Sequence, residues 1–289
     1  MVVRVAKTAG FCFGVKRAVS MVYEAAEKYP GRVYTMGPII HNEQVVEDLA
    51  EKGVRVIDDS LLDEETGEAP PAGSVVIVRS HGISREMTER LGESGYKVIT
   101  ATCPFVSKIH DIAAKKSAEG YSILIVGNPG HPEVQGIRGW AGEPCAVVEN
   151  AEQARALSLP KERPVWMVAQ TTFQVDKFEE LVEIVKGMGY SVRVTNTICN
   201  ATKERQTESK ELAGISDTML VIGGKHSSNT QKLYEICSSM CERTYYIQSP
   251  EDLESVVLHS DSCIGITAGA STPNTIIQEV LSNVRGTEL

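Results

Sequence analysis

The stretch Val98-Ile-Thr-Ala-Thr-Cys103-Pro-Phe-Val-Ser-Lys108 decides the fold, because it joins an apolar strand to a cysteine and then to a helix start. A cysteine follows an apolar run at two other places: Val2–Ala6 precedes Cys12, and Ser191–Thr195 precedes Cys199. The three cysteines are 91 and 96 residues apart. Such a regular interval indicates three repeats of one structural unit.

The rest of the chain alternates short Val/Ile-rich runs with amphipathic stretches, which is typical of parallel-sheet α/β architecture. Four runs fall in the first repeat, four in the second and three in the third, so the N-terminal run is expected to complete the third sheet. The runs cover residues 32–37, 54–57, 75–78, 98–101, 122–126, 146–148, 165–169, 191–195, 219–222, 244–247 and 263–267. We therefore predict three similar α/β units, 9–99, 100–195 and 196–289, the last completed by residues 1–8.

Length and charge limit the classes of function. The chain has 289 residues and a net charge of −9, and this acidic balance argues against a nucleic-acid partner, which would need a basic face. No apolar run approaches the roughly 18 residues of a membrane span. Arg4 and Lys7 interrupt the first apolar stretch, so it does not resemble a signal peptide. We expect a cytoplasmic protein without a membrane partner.

Polar residues recur in step with the three cysteines. After the first strand of each repeat come His41, His131 and His226, at 29, 28 and 27 residues beyond the cysteine. After the third strand come His81, Thr171 and Ser271, at 69, 68 and 72 residues. Ligands of open α/β sheets bind beyond the carboxyl ends of the strands. Three units around a pseudo-threefold axis would therefore direct these loops and cysteines into one central cavity.

Three thiolates at one point would hold a metal and leave a coordination position open. Thiolates favour both zinc and iron–sulfur clusters, and the residues alone do not decide between them. A cysteine without such a pattern is usually a small buried hydrophobe. That is our interpretation of Cys237 and Cys241, which lie four residues apart on a predicted helix.

The loop ends carry groups that suit a phosphate or diphosphate, because several of them start helices, whose free N–H groups favour anions. Each hydroxyl taken singly is also a preferred helix cap. The candidate residues are His41, His81, Ser227, Ser228, Asn229 and Ser271. Glu133 allows two interpretations: a proton donor whose pKa is raised by enclosure, or an acid in the first turn of a helix.

Taken together, the motifs resemble those of the 4-hydroxy-3-methylbut-2-enyl diphosphate reductase family, in order and over nearly the whole chain. The matching segments are Ala9-Gly-Phe-Cys12-Phe-Gly-Val-Lys-Arg-Ala, Ser80-His-Gly82, Ala101-Thr-Cys103-Pro, Gly127-Asn-Pro-Gly-His131-Pro-Glu133-Val, Ala169-Gln-Thr171-Thr, Thr197-Ile-Cys199, Ser227-Ser-Asn229 and Ala268-Gly-Ala-Ser271.

The resemblance implies a trefoil of three α/β domains around a 4Fe–4S cluster with three cysteine ligands and one iron open to the substrate hydroxyl. The implied ligands are Cys12, Cys103 and Cys199. The implied substrate-binding residues are His41, His81, His131, Thr171, Thr172, Ser227, Ser228, Asn229 and Ser271. Around the hydroxyl end, His131 and Thr171 would assist Glu133, the implied proton source.

The implied reaction is a two-electron reductive dehydroxylation that yields isopentenyl and dimethylallyl diphosphates, the last step of the methylerythritol phosphate route to isoprenoids. The chain has no Gly-x-Gly-x-x-Gly fingerprint of a nicotinamide or flavin site. The family's electron carrier is a ferredoxin or flavodoxin, which is the expected partner. Two other functions remain open: an iron–sulfur sensor that binds a phosphorylated ligand without turnover, and a zinc hydrolase of phosphate esters.

Overall fold

A computed structural model describes residues 2–58, 69–258 and 263–286. In this part of the chain, twelve strands form three four-stranded sheets, and every pairing is parallel. The strands are β1 Val2–Val5, β2 Val33–Met36, β3 Arg55–Ile57, β4 Val75–Val78, β5 Lys97–Thr100, β6 Ser122–Val126, β7 Cys145–Val148, β8 Val165–Ala169, β9 Val192–Val194, β10 Thr218–Ile222, β11 Thr244–Ile247 and β12 Cys263–Ala268.

Ten α-helices alternate with these strands in the described residues. They are α1 Phe13–Lys28, α2 Glu43–Glu51, α3 Arg85–Glu93, α4 Pro104–Ala118, α5 Pro132–Trp140, α6 Ala151–Arg155, α7 Val175–Gly187, α8 Asn200–Ala213, α9 Ser228–Met240 and α10 Asn274–Gly286. A 3₁₀ helix covers Pro250–Ser255. None of the described helices is long and apolar enough to cross a membrane.

The three sheets share one topology. Their strand orders are β3-β2-β4-β5, β7-β6-β8-β9 and β11-β10-β12-β1. In each sheet the first and third strands of a repeat are central, and the strand that precedes a cysteine is at the edge. The N-terminal strand β1 takes this edge place beside β12, with Val2 opposite Cys263. Three parallel-sheet α/β units of four strands each are therefore confirmed.

Burial explains why the strands could be located in the sequence. The central strand β6 (Ser122–Val126) is buried along its whole length, as parallel strands covered on both faces usually are. The edge strands β5 and β9 are mostly exposed or half-buried, and their sequences accordingly include Lys97, Thr100 and Arg193. Continuous apolar runs thus mark the centres of the sheets, and mixed runs mark their edges.

By compactness the chain divides into two units. The smaller comprises residues 1–15, 41–45 and 199–289, and the larger comprises 16–40 and 46–198. The smaller unit contains the sheet of β10, β11, β12 and β1, and the larger contains the other two sheets. The boundaries 9–99, 100–195 and 196–289 and the threefold arrangement stay predictions.

Candidate active site

The polar loops follow the two central strands of each sheet. The order second-first-third-fourth reverses direction between these two strands, and this switch point is where open α/β sheets bind ligands. The predicted site residues lie in these loops or in the first turn of the helix that follows: His41 and His81 after β2 and β4, His131, Glu133 and Thr171 after β6 and β8, and Ser227, Ser228, Asn229 and Ser271 after β10 and β12.

In the larger unit, Glu133 and Thr171 form a buried pair. Glu133 is only 2 % exposed. Its Oε1 accepts a hydrogen bond of 2.6 Å from the backbone N–H of Thr171, and its Oε2 accepts one of 2.7 Å from Thr171 Oγ1. Burial raises the pKa of Glu133 to about 7, although the two Thr171 donors act in the opposite direction. The carboxyl group can therefore hold or release a proton near neutral pH.

The helix α5 places Glu133 in its first turn, because His131 caps the helix and Pro132 starts it. The His131 Nδ1 atom accepts the backbone N–H of Glu133 at 3.1 Å, so the proton of the neutral ring is on Nε2. The rings of His131 and His81 meet edge to face, with centroids 5.4 Å apart. Glu133 is therefore an acid in the first turn of the helix, and enclosure raises its pKa; its role as a proton donor stays a prediction.

His110, which the sequence analysis did not select, supports the turn that carries His81. Gly82 has a φ of +74°, and a Cβ at this position would lie 2.5 Å from Cε1 of His110. The His110 ring is 6 % exposed and stacks on Trp140, with centroids 5.5 Å apart. Trp140 Nε1 in turn donates to the carbonyl oxygen of Ile83 at 2.9 Å. Burial lowers the pKa of His110 to about 4, so this ring is neutral at physiological pH.

Gln170 lies in one of the segments quoted above, but it was not predicted as a site residue. Its side chain is buried and joins the loops after β6 and β8: Oε1 accepts the N–H of Asn128 at 3.1 Å, and Nε2 donates to Thr172 Oγ1 at 3.0 Å. A Cβ on Gly127 would lie 2.8 Å from Cβ of Gln170, so the two loops are in close contact. Thr172, a predicted substrate-binding residue, is thus held by Gln170.

In the smaller unit, hydroxyl and amide groups meet at the start of α9. Ser227 caps the helix by accepting the N–H of Thr230 at 3.3 Å, so the capping interpretation of this residue is confirmed. Ser271 Oγ lies 3.3 Å from Ser227 Oγ and 3.1 Å from the carbonyl oxygen of His41. Asn229 Oδ1 accepts the N–H of Ala270 at 3.0 Å. The buried Nδ2 of Asn229 has no hydrogen-bond partner among the described residues.

His226 differs from the other loop histidines. Its side chain is exposed, and its Nε2 lies 3.7 Å from Oε1 of Glu43. Ser228, by contrast, is half-buried in the first turn of α9. The matching offset of His226 in the sequence therefore does not bring it into the same buried environment as Ser227.

Each of the three repeat cysteines precedes a helix. Cys103 and Cys199 occupy the N-cap positions of α4 and α8, and Cys12 comes directly before α1. Backbone hydrogen bonds fix two of them to the loop after the third strand: Cys12 N–H donates to Ala270 at 3.2 Å, and Cys103 N–H donates to Ser80 at 3.0 Å. All three are half-buried and free of disulfides. Positive helix N-termini favour negatively charged sulfur at such positions.

The remaining cysteines have different surroundings. Cys237 and Cys241 lie in the apolar core of the smaller unit with Leu212, Met219 and Leu233, as we expected. Burial raises the pKa of Cys237 to about 12 and that of Cys145 to about 11. These thiols stay protonated at neutral pH, which makes them poor metal ligands.

A buried cation next to two of the repeat cysteines fits a metal–thiolate site. Arg205 of α8 is 5 % exposed. Burial lowers the pKa of its guanidinium, whereas Cys12 and Cys199 favour the charged form. Its Nε has no hydrogen-bond partner among the described residues. A buried guanidinium is stable where negative charge balances it, and metal-bound thiolates provide such charge. The side chains present in the smaller unit are therefore suited to an iron–sulfur or zinc centre.

The chain is similar to proteins of known name over almost its whole length. Residues 3–285 match a family model described as "LytB protein". The chain is 44 % identical over 286 residues to the 4-hydroxy-3-methylbut-2-enyl diphosphate reductase of Caldanaerobacter subterraneus, a match that covers 99 % of this chain and 97 % of that protein.

Two solved structures are similar as well. One is the E-1-hydroxy-2-methyl-but-2-enyl-4-diphosphate reductase from Plasmodium falciparum, with a TM-score of 0.89 and 28 % identity over 97 % of this chain and 87 % of that one. The other is an (E)-4-hydroxy-3-methyl-but-2-enyl diphosphate reductase described as the terminal enzyme of the non-mevalonate pathway. It matches with a TM-score of 0.69 and 40 % identity, over 99 % of this chain and 100 % of that one.

Proposed function

The chain belongs to the LytB protein family, and on that premise we propose that it is a 4-hydroxy-3-methylbut-2-enyl diphosphate reductase. The reaction adds two electrons and two protons to the allylic alcohol, breaks the C–O bond and releases water. Its products are isopentenyl and dimethylallyl diphosphates. The observation that carries this proposal is the buried Glu133–Thr171 pair, whose carboxyl group has a pKa of about 7, in a chain that matches the family over residues 3–285.

Reductases of this family carry an iron–sulfur cluster. We propose that it is a 4Fe–4S cluster with Cys12, Cys103 and Cys199 as its ligands and one iron without a protein ligand. The common place of these cysteines in three sheets of one topology supports this set, as does the buried Arg205. When bound, the cluster supplies electrons and Lewis acidity. External carriers, a ferredoxin or flavodoxin, are the proposed source of the electrons.

We propose that the diphosphate is bound by the histidine and hydroxyl loops. The buried Nδ2 of Asn229 can donate a hydrogen bond to the diphosphate, and the N–H groups at the start of α9 favour an anion. A diphosphate oxygen near Ser227 would also accept the Ser271 proton that is otherwise directed at Ser227 or the His41 carbonyl. The proposed binding residues are His41, His81, Thr172, Ser227, Ser228, Asn229 and Ser271.

Glu133 is the proposed source of the proton that lets the hydroxyl group leave as water. Its pKa near 7 keeps much of the population protonated at neutral pH, and water is excluded from a side chain that is almost wholly buried. Thr171 Oγ1 lies 2.7 Å from the carboxyl oxygen and can pass the proton on. His131 caps the same helix turn and would orient the substrate hydroxyl together with Thr171.

The test is turnover by anaerobically purified protein supplied with reduced methyl viologen and the allylic diphosphate, with both products quantified by mass spectrometry. We expect product formation and iron and sulfide in the purified protein. Cys103→Ser should lose both the product and the iron and sulfide, and Cys145→Ser, which changes a half-buried thiol outside the repeat pattern, should keep both. Binding of the diphosphate without product would indicate a sensor, and zinc without iron would indicate a hydrolase. Either result would refute the proposal.

A further inference from the structure

Two side chains of helix α8 form hydrogen bonds with the segment that leads to Cys12. The Glu208 carboxylate accepts the N–H of Lys7 at 2.7 Å, the N–H of Thr8 at 2.9 Å and the Thr8 hydroxyl at 2.6 Å. One turn earlier on the helix, Arg205 Nη2 donates to the carbonyl oxygen of Gly10 at 2.6 Å. Because α8 itself begins at Cys199, one helix determines where both cysteines of the smaller unit lie.

Within the part of the chain that the structure describes, the guanidinium of Arg205 has no acidic partner at hydrogen-bond distance. Its Nη1 donates to the carbonyl of Ala201 at 2.9 Å, Nη2 donates to Gly10, and no carboxylate in the described ranges forms an ion pair with it. The two nearby acids are engaged or exposed: Glu208 accepts hydrogen bonds from Lys7 and Thr8, and Glu204 faces solvent. Two neutral carbonyls do not balance a buried positive charge, which costs several kcal/mol when it is uncompensated.

The fold brings Arg205 to both cysteine segments of the smaller unit: Nη2 donates to Gly10, two residues before Cys12, and the helix that carries Arg205 is capped by Cys199. Burial lowers the pKa of the guanidinium, and the nearby groups Cys12, Cys199, Glu204 and Glu208 act in the opposite direction. Metal-bound thiolates at Cys12 and Cys199 would supply the negative charge that balances this buried cation.

We propose that Arg205 is a positioning residue for the metal centre: its guanidinium balances the negative charge of the Cys12 and Cys199 thiolates and raises the reduction potential of the cluster they hold. This inference rests on the proposed function, because it requires a cluster at these cysteines. Reduction adds one negative charge, and a fixed cation nearby favours the more negative state. Removal of the cation should therefore make the cluster harder to reduce.

Two variants separate the charge of Arg205 from its shape. Arg205→Gln keeps an amide donor but removes the charge. Arg205→Lys keeps the charge but loses the planar guanidinium group, which donates to both Gly10 and Ala201. Arg243→Gln is the matched control, since Arg243 is in the same unit and also donates to a backbone carbonyl, that of Asp217 at 2.9 Å, but lies at the surface.

The experiment measures iron and sulfide content and the midpoint potential of the substrate-free holoprotein by anaerobic spectroelectrochemical titration. We expect Arg205→Gln to make reduction at least tenfold less favourable, a shift of about 59 mV to more negative potential for one electron. Arg205→Lys should keep most of the wild-type potential, and Arg243→Gln should match the wild type.

Several outcomes would overturn the inference. An iron-replete Arg205→Gln protein with the wild-type potential would show that the charge has no effect on the cluster. If Arg205→Gln loses its iron, retention of iron by Arg205→Lys supports the charge argument. Equal loss of iron in both variants overturns it, because the shape and hydrogen bonds of the arginine side chain would then be what the site requires. A wild-type protein without iron would refute the proposed function as well, and that result is visible before any variant is compared.

Discussion

Replacing Glu133 with Gln keeps the size of the side chain and removes its ionisation. In the wild-type protein, burial raises the pKa of Glu133 from 4.5 to about 7. With a pKa of about 7, roughly ten of eleven molecules hold the proton at pH 6 and about one of eleven holds it at pH 8. If Glu133 donates the proton to the leaving group, kcat/KM of the wild type should fall about tenfold for each pH unit above 7.

The raised pKa of Glu133 also predicts that the free energy of unfolding depends on pH. The folded pKa of Glu133 is above its unfolded value, so the associated stabilisation is fully present below pH 4.5 and is lost as the pH rises through 7. A difference of about two and a half pKa units corresponds to about 3 kcal/mol of the free energy of unfolding. Most of this loss occurs below pH 6 and does not occur in Glu133→Gln, so between pH 6 and pH 9 the stability of the variant relative to the wild type should increase by roughly 1.4 kcal/mol.

The assay is steady-state turnover from pH 6 to 9 with reduced methyl viologen, whose potential does not change with pH, together with anaerobic guanidinium unfolding at both ends of the range. Glu133→Gln should bind substrate, lose most turnover and lack the inflection near pH 7 that the wild type shows. Glu152→Gln is the matched control, because Glu152 occupies the same helix position in α6 but is exposed. An identical pH profile in the wild type and Glu133→Gln, or wild-type turnover in the variant, would refute the argument.

Three further outcomes are expected. Thr171→Val removes a hydroxyl donor that lowers the pKa of Glu133, so the inflection in kcat/KM should move to higher pH, and Thr171→Ser should restore it. Gly139→Ala places a Cβ 2.3 Å from the nearest side-chain carbon and should cost about 1–3 kcal/mol in denaturant unfolding, whereas Gly187→Ala, with no atom within 4 Å, should not destabilise. Ser271→Ala should raise KM for the diphosphate with little change in kcat, and an unchanged KM would exclude this serine from the binding site.

The strands could be predicted from the sequence because the sheets are parallel. The runs 75–78, 122–126, 165–169 and 244–247 coincide with β4, β6, β8 and β11, and the other strands differ from their predicted runs by one residue at one or both ends. Buried parallel strands are continuous apolar segments, which stand out against polar helices. The common topology of the three sheets agrees with the similar spacing of runs and cysteines in the three repeats.

The environment of individual side chains could not be predicted in the same way. Arg205 lies in the polar stretch Asn200–Ala213, and a charged residue in such a helix is normally exposed. His110 carries no motif, and its contact with Gly82 depends on the packing of α4 against a loop nearly thirty residues earlier. The sequence predicts that Glu133 and Thr171 follow neighbouring strands, but the two hydrogen bonds between them depend on how the loops pack in three dimensions.

The place of β1 has a consequence for how the molecule matures in the cell. Val2 pairs with Cys263, and Cys12 N–H bonds to Ala270, so β1 is synthesised roughly 260 residues before the strand with which it pairs. During translation at about 5–20 residues per second, a nascent chain spends many seconds with the Cys12 segment undocked. If Cys12 is a cluster ligand, as we propose, the complete cluster site forms only after β12 has left the ribosome, and a chain truncated before β12 should be colourless.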